Sequence, residues 1–366
     1  MLMYFLVLIC MSLLMIKKHL YIKTPKGTFD LYNLYTLLGY AIYIIFAVFR
    51  KIDIGGIGGT DAIAYFNFFM NANIPYFQYI KSMPIEIGFA SVLWLLRRVT
   101  DNYLFILLLF HSITYILTLK FIRYIKCKNL VVIMLLNQIL LSQFNTLRMS
   151  LCIIISMYVM IYIAQKQFCI SSLLVLLAIS IHNSAIILLP ALITNFYFKN
   201  KRVNAYKISF IICAYMVVSY ASYELLIYYF KNMSKYFLYI NNIFSFAYLS
   251  YIFILLTILF GILKYKTLLK TNYINRAILL SMTALPICIF LNFKMPIFYR
   301  VALIFLQLSY ILAATELRAF KFNKQNLLLS LIVLNTIYLY SGARIYNFFT
   351  IDLQYIGVPY ISTIFR

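Results

Sequence analysis

Charged side chains are scarce in this chain, and the few that flank long apolar runs are the ones that could do chemistry. Asp61 follows Gly58-Gly59-Thr60 and precedes an aromatic-rich stretch containing Tyr65 and Phe69. Glu86 opens Glu86-Ile87-Gly88-Phe89, and Arg148 closes Phe144-Asn145-Thr146-Leu147-Arg148. His182 sits in Ser180-Ile181-His182-Asn183-Ser184-Ala185, Arg300 follows Tyr299, and Arg344 follows the last apolar run. Ionisable groups at membrane depth are costly, so each is a functional candidate. Arginines with few acids to neutralise them suit a ligand of clustered negative charge, because the guanidinium fork matches phosphate oxygens. A carboxylate or imidazole nearby could take a proton from an attacking hydroxyl. Together these groups outline transfer from a lipid-pyrophosphate leaving group to a sugar hydroxyl.

Each residue also has a structural reading. Asp61 could cap a helix beginning at Ala62, and Glu86 could pair with Lys81 or Arg97. Arg148 could snorkel to lipid phosphates, with Asn145 and Thr146 as partners. His182 could be a hydrogen-bonded interface residue. Arg300, with Lys294 nearby, could anchor at headgroups, and Arg344 is the weaker candidate of the set. His111, inside an apolar run, reads as structural.

Other chemistries lack a signature. There is no DxD and no HExxH, so the arginines rather than a metal are expected to carry charge stabilisation, and no cofactor is expected. Cys10, Cys127, Cys152, Cys169, Cys213 and Cys288 show neither CxxC nor CxH spacing and read as packing. The net charge of +24 comes from short basic clusters between apolar runs, not from a nucleic-acid-binding stripe.

The elements that must position these residues are membrane helices. The chain is 65% hydrophobic and 11% charged, with a mean hydropathy of +0.93. Soluble domains carry about 25% charged residues, so this is read as an integral membrane protein. A span needs about 20 apolar residues. Twelve are expected, at roughly 1–16, 31–49, 103–119, 129–144, 149–164, 168–181, 184–198, 208–223, 244–263, 277–293, 300–317 and 326–341. The basic residues after the first run mark a retained helix with its N-terminus outside. The inner loops then hold the majority of the 32 Lys and Arg, including Lys166, Lys199, Lys201, Lys207 and Arg276.

Parity favours 84–99 as a re-entrant or interfacial outer helix, with Arg97 and Arg98 at the headgroups; the alternative is a full crossing with a different helix miscounted. Residues 50–102 form the largest outer loop, 224–243 a second, and 342–366 an outer tail. The expected fold is therefore all-α, a single polytopic transmembrane domain over 1–366. Asp61, Glu86, Arg148, His182, Arg300 and Arg344 all fall on the outer side.

The ordered features Gly59-x-Asp61 with Tyr65, Glu86-x-Gly88-Phe89, Phe144-Asn145 with Arg148, His182-x-Ser184-Ala185 and Tyr299-Arg300 resemble the EpsG-like branch of the Wzy-type polysaccharide polymerases, over roughly residues 50–305. The resemblance implies a GT-C-like glycosyltransferase of the bacterial inner membrane. It would polymerise undecaprenyl-pyrophosphate-linked repeat units of O-antigen, capsule or exopolysaccharide on the outer face. Its partners would be those lipid-linked oligosaccharides, membrane lipids, a chain-length regulator and other assembly proteins. Carried onto this sequence, Arg148, Arg300 and Arg344 would hold pyrophosphate. Asp61, His182 or Glu86 would supply the base. Tyr65, Phe69, Asn145 and Tyr299 would contact sugar or lipid.

Two rival functions remain. A flippase or other transporter predicts internal symmetry and charges near mid-membrane. A membrane O-acyltransferase needs an acyl-donor route from the inside, and His19, an inner-loop residue, has no role that marks one.

Overall fold

The computed structural model describes residues 21–24, 27–49, 62–122, 124, 146–201, 205–231, 247–263, 274–294 and 299–319. The expected spans 1–16, 129–144 and 326–341 and the tail 342–366 lie outside these residues. The described chain is helical apart from one antiparallel hairpin, β1 (Tyr21–Thr24) and β2 (Gly27–Asp30), with Thr24 opposite Gly27. The all-helical expectation does not include this hairpin.

The chain divides into two compact units. The first takes in the described residues up to Ile154 together with Ser180–His182. The second takes in Ile155–Ile179 and the described residues from Asn183 onward.

In the first unit, α1 (Leu31–Val48) packs against α5 (Tyr103–Ile122). Asn102 starts α5 by accepting the Leu104 N–H on its side-chain oxygen at 2.9 Å. Helix α5 is apolar all round, so polar contacts set its rotation. Tyr43 Oη meets Nδ1 of the fully buried His111 at 2.6 Å, and Tyr40 Oη meets Ser112 Oγ at 2.8 Å. Tyr43 also stacks on Tyr115 with ring centroids 5.6 Å apart. The structural reading of His111 thus has a named partner.

The expected outer loop 50–102 is, over its described part, three helices: α2 (Ala62–Asn71), α3 (Tyr76–Ser82) and α4 (Ile87–Val99). Ala62, Tyr65 and Phe69 of α2 recur at helical spacing and are buried. Phe69 lies beside Tyr103, with centroids 5.9 Å apart, and under the Arg97 guanidinium at 5.1 Å, so it is a core residue rather than a surface for sugar.

Arg97 and Arg98, expected at the headgroups, also have partners within the protein. Arg97 pairs with Asp101 at 2.6 Å, one turn along. Arg98 lies over Trp94 at 4.6 Å, and both residues donate to the Ile74 carbonyl. Tyr79 of α3 donates to the Phe68 carbonyl at 2.9 Å; burial pushes its hydroxyl up to about 12, so it remains a donor across physiological pH.

In the second unit, two expected spans are interrupted, each at a proline. The 184–198 segment is a 3₁₀ turn (Asn183–Ile187) followed by α8 (Leu188–Tyr197). Pro190 lacks an N–H and its ring clashes with the carbonyl four residues back, so a regular helix cannot run through Ile186. The 277–293 segment is α11 (Asn275–Met282) and α12 (Leu285–Lys294), with Pro286 acting in the same way on Met282. Between them in sequence run α9 (Ala205–Lys231) and α10 (Ala247–Leu263), and α13 (Tyr299–Ala319) follows. The described part of the expected second outer loop, 224–231, continues α9. Helix α13 packs against α10, α11, α12 and the 3₁₀ turn.

Helices α6 (Leu147–Ala164) and α7 (Phe168–Ile181) are joined by a tight turn. The Gln167 N–H bonds the Tyr162 carbonyl and the Lys166 N–H bonds that of Ile163, each at 2.9 Å. This is a Schellman closure with Lys166 in its left-handed position, at φ 62°. Glycine is the usual occupant, because a Cβ there costs roughly 1 kcal/mol.

Among the described residues, Tyr103–Phe121 and Leu147–Ala164 are long and apolar enough to cross a membrane. Shorter apolar helices include Leu37–Val48, Phe168–Ile181 and Tyr206–Ala221. Leu173, Leu176, Phe210 and Val217 face outward, as an apolar solvent would favour.

Replacing His111 with Ala removes the Tyr43 bond and opens a cavity. It should destabilise the protein by about 2–4 kcal/mol, measured as a lowered melting temperature in detergent. Ser112→Ala, which removes one hydroxyl, should cost about 1 kcal/mol.

Candidate functional site

Four elements of the first unit deliver the site: α2, the N-terminus of α4, the first turn of α6 and the C-terminus of α7. Glu86 is the residue before α4 and has extended backbone geometry, φ −66° and ψ 141°. A side chain there commonly caps the helix, but Glu86 makes no cap bond. Its carboxylate instead pairs with the Arg148 guanidinium in the first turn of α6. The side chains are 11% and 18% exposed, so the pair is mostly withdrawn from water. A charge pair in that setting is strongly held, since removing either partner leaves the other desolvated.

Aromatic faces complete the surround. The Arg148 guanidinium carbon lies 5.7 Å from the Tyr65 ring centre and 5.9 Å from that of Phe89. The two rings meet edge to face at 5.8 Å. Phe89 leans on Phe110 of α5 at 5.5 Å. Cation–π attraction adds to the ion pair, and the rings restrict the positions open to the guanidinium.

Gly88 explains how the C-terminus of α7 reaches this place. A Cβ at Gly88 would stand 2.3 Å from Ser180 Oγ and 2.7 Å from the Ser180 carbonyl oxygen. Only hydrogen fits, so α4 and α7 meet backbone to backbone two residues from Glu86 and two from His182. Ile181 packs on the apolar core that holds Tyr65, Phe89 and Leu147. His182, half-buried, follows directly and belongs to the same compact unit as Glu86 and Arg148. The close approach at Ser180 carries no sequence signal beyond the glycine opposite it.

The remaining candidates divide by location. Tyr299 and Arg300 lie in the first turn of α13, whose body touches the 3₁₀ turn following His182. Asp61, Asn145 and Arg344 lie outside the described residues. Chemically, the described group offers a preorganised guanidinium with a carboxylate orienting it, aromatic faces around it and an imidazole at a neighbouring helix end. That is an arrangement for binding an oxyanion beside a proton acceptor.

A family model described as the EpsG family matches residues 35–362. No curated protein and no solved structure matches the chain.

Gly88→Ala should lower stability by about 1–3 kcal/mol, because even if the Ser180 hydroxyl turns aside, the Ser180 Cβ and carbonyl oxygen, both 2.7 Å away, cannot. In a double-mutant cycle, Glu86→Ala should cost about 1–3 kcal/mol less in an Arg148→Ala background than alone, read from melting curves. Equal costs in both backgrounds would mean that the pair does not couple.

Proposed function

The chain belongs to the EpsG family, a family of Wzy-like polysaccharide polymerases, and from that premise we propose that it joins lipid-linked oligosaccharide repeat units with Arg148 as the centre of its site. Membership makes it a membrane protein of polysaccharide biosynthesis. In the proposed reaction the growing glycan, carried on undecaprenyl pyrophosphate, is the donor. A hydroxyl of a fresh lipid-linked unit is the acceptor, on the outer face of a bacterial inner membrane and within a GT-C-like architecture.

The bond between the donor's anomeric carbon and the pyrophosphate oxygen breaks as the bond to the acceptor oxygen forms. The acceptor proton passes to a base, and undecaprenyl pyrophosphate departs with the bond's electron pair. Arg148 and Arg300, with Arg344, neutralise the charge that develops on the leaving group, so a metal ion is not required.

The observation that carries this reading is the Glu86–Arg148 pair inside its aromatic frame. A guanidinium held in advance costs little reorganisation when charge appears beside it. The same pairing changes the role assigned to Glu86. A carboxylate oxygen engaged by Arg148 is not presented to a hydroxyl, so Glu86 is the positioning residue. His182 and Asp61 are the candidates for the base.

Deletion of the gene should collapse the surface-polysaccharide ladder to a single repeat on its carrier, and the wild-type gene should restore it. Arg148→Ala and His182→Ala, expressed at normal levels, should lower polymerisation by roughly 10²-fold or more. Normal ladders from both variants would overturn the site. Repeat units stranded on the inner face would point to a flippase, and full-length glycan lacking acyl groups to an O-acyltransferase.

A further inference from the structure

We propose that Lys166, Lys199 and Arg276 form a second site, which binds the phosphate of an anionic membrane phospholipid. Three separate elements bring these cations together: the turn after α6, the turn after α8 and the first turn of α11. They line a crevice of about 60 Å³, the scale of a phosphate group, and among the described residues no acidic one lines it. Ala164 and Phe168 form part of its apolar wall, and the Lys199 ammonium lies 5.4 Å from the Phe168 ring centre.

The crevice is built on fixed supports. Arg276 donates to the Phe198 and Lys201 carbonyls, closing the C-terminal end of α8. Asn195, on the crevice wall, bonds the Ala277 carbonyl at 3.3 Å and Ser281 Oγ at 2.9 Å, fastening α8 to α11. Basic residues in loops commonly serve topology alone. Topology does not explain why Lys166 occupies a left-handed position that glycine fills without strain. A side chain retained there against its own backbone preference, and lining a basic crevice, points to a ligand.

A phosphate flanked by apolar wall fits a lipid headgroup at a membrane surface better than a free ion. Helix α6 has 18 residues and is about 27 Å long. Arg148 in its first turn and Lys166 beyond its last therefore sit at opposite ends of one helix. The lipid site is separate from the polymerising one, and the inner-loop reading of its residues would set it in the cytoplasmic leaflet.

The test uses the purified full-length chain in detergent, titrated with short-chain phosphatidylglycerol, with short-chain phosphatidylcholine or with inorganic phosphate, while the melting temperature is followed. Phosphatidylglycerol should raise the melting temperature, and the other two should not at matched concentration. Lys199→Gln should weaken the apparent affinity about tenfold. Lys166→Gly should do the same while raising the melting temperature of the lipid-free protein, because it relieves the left-handed turn. Lys201→Gln, whose ammonium sits 3.5 Å over the Tyr197 ring and does not line the crevice, is the charge-matched control and should keep the full response.

An undiminished response in both crevice variants would overturn the site. So would an equal loss in Lys201→Gln, which would mean bulk surface charge. An equal shift from inorganic phosphate would overturn the lipid assignment. These readouts are of binding alone, so they stand or fall independently of the proposed polymerisation.

Discussion

The first unit is organised around one constraint: a guanidinium mostly withdrawn from water must be held by a partner of opposite charge. Glu86 is that partner, and much of the surrounding geometry serves to bring it to Arg148. Helix α4 begins with its cap unused because its carboxylate is committed elsewhere. Tyr65 from α2 and Phe89 from α4 close over the cation. Gly88 lets α4 settle against Ser180, which fixes where α7 ends and where the chain turns into His182. Loss of the pair would remove the reason for this arrangement as well as a contact.

The second unit depends more on backbone punctuation. Pro190 and Pro286 each stop a helix that hydropathy alone would continue, and the freed chain is refastened by side chains. Asn195 ties α8 to α11, and Ser281 reaches Met160 Sδ at 3.0 Å. Thr194 and Tyr215 join at 2.6 Å, with Tyr215 also donating to the Pro190 carbonyl at 2.8 Å. Short polar contacts of this kind suit helices whose outer faces are apolar, because association in lipid draws on packing and hydrogen bonds rather than on water exclusion.

Helices that follow a plain apolar run were legible from sequence, with 168–181 matching α7 end to end and 31–49 matching α1 within a residue. The broken spans were misread because hydropathy averages over a window and does not register the steric effect of a single proline. The helix expected over 84–99 corresponds to α4, whereas residues 62–82 read as loop because their apolar residues alternate with enough polar ones to fall below a span, although Ala62, Tyr65 and Phe69 already show a helical period. At the site, the residue types and their order were legible and the pairing was not. Glu86 and Arg148 are 62 positions apart, and Arg97 and Lys81 are nearer in sequence and equally basic. Phe69 looked like a stacking surface because an aromatic in a membrane chain reads the same whether it faces ligand or core.

Helix α5 is apolar on every side, so a bilayer accepts it at any angle about its own axis. The Tyr43–His111 and Tyr40–Ser112 contacts remove that freedom. They act as a key in a slot: insertion sets the depth of α5, and these two polar contacts set its azimuth. Phe110, one residue before the key, is thereby turned toward Phe89, one wall of the cage around Arg148. A rotational error in a helix that carries no candidate catalytic group would thus reach the cage as a misplaced ring.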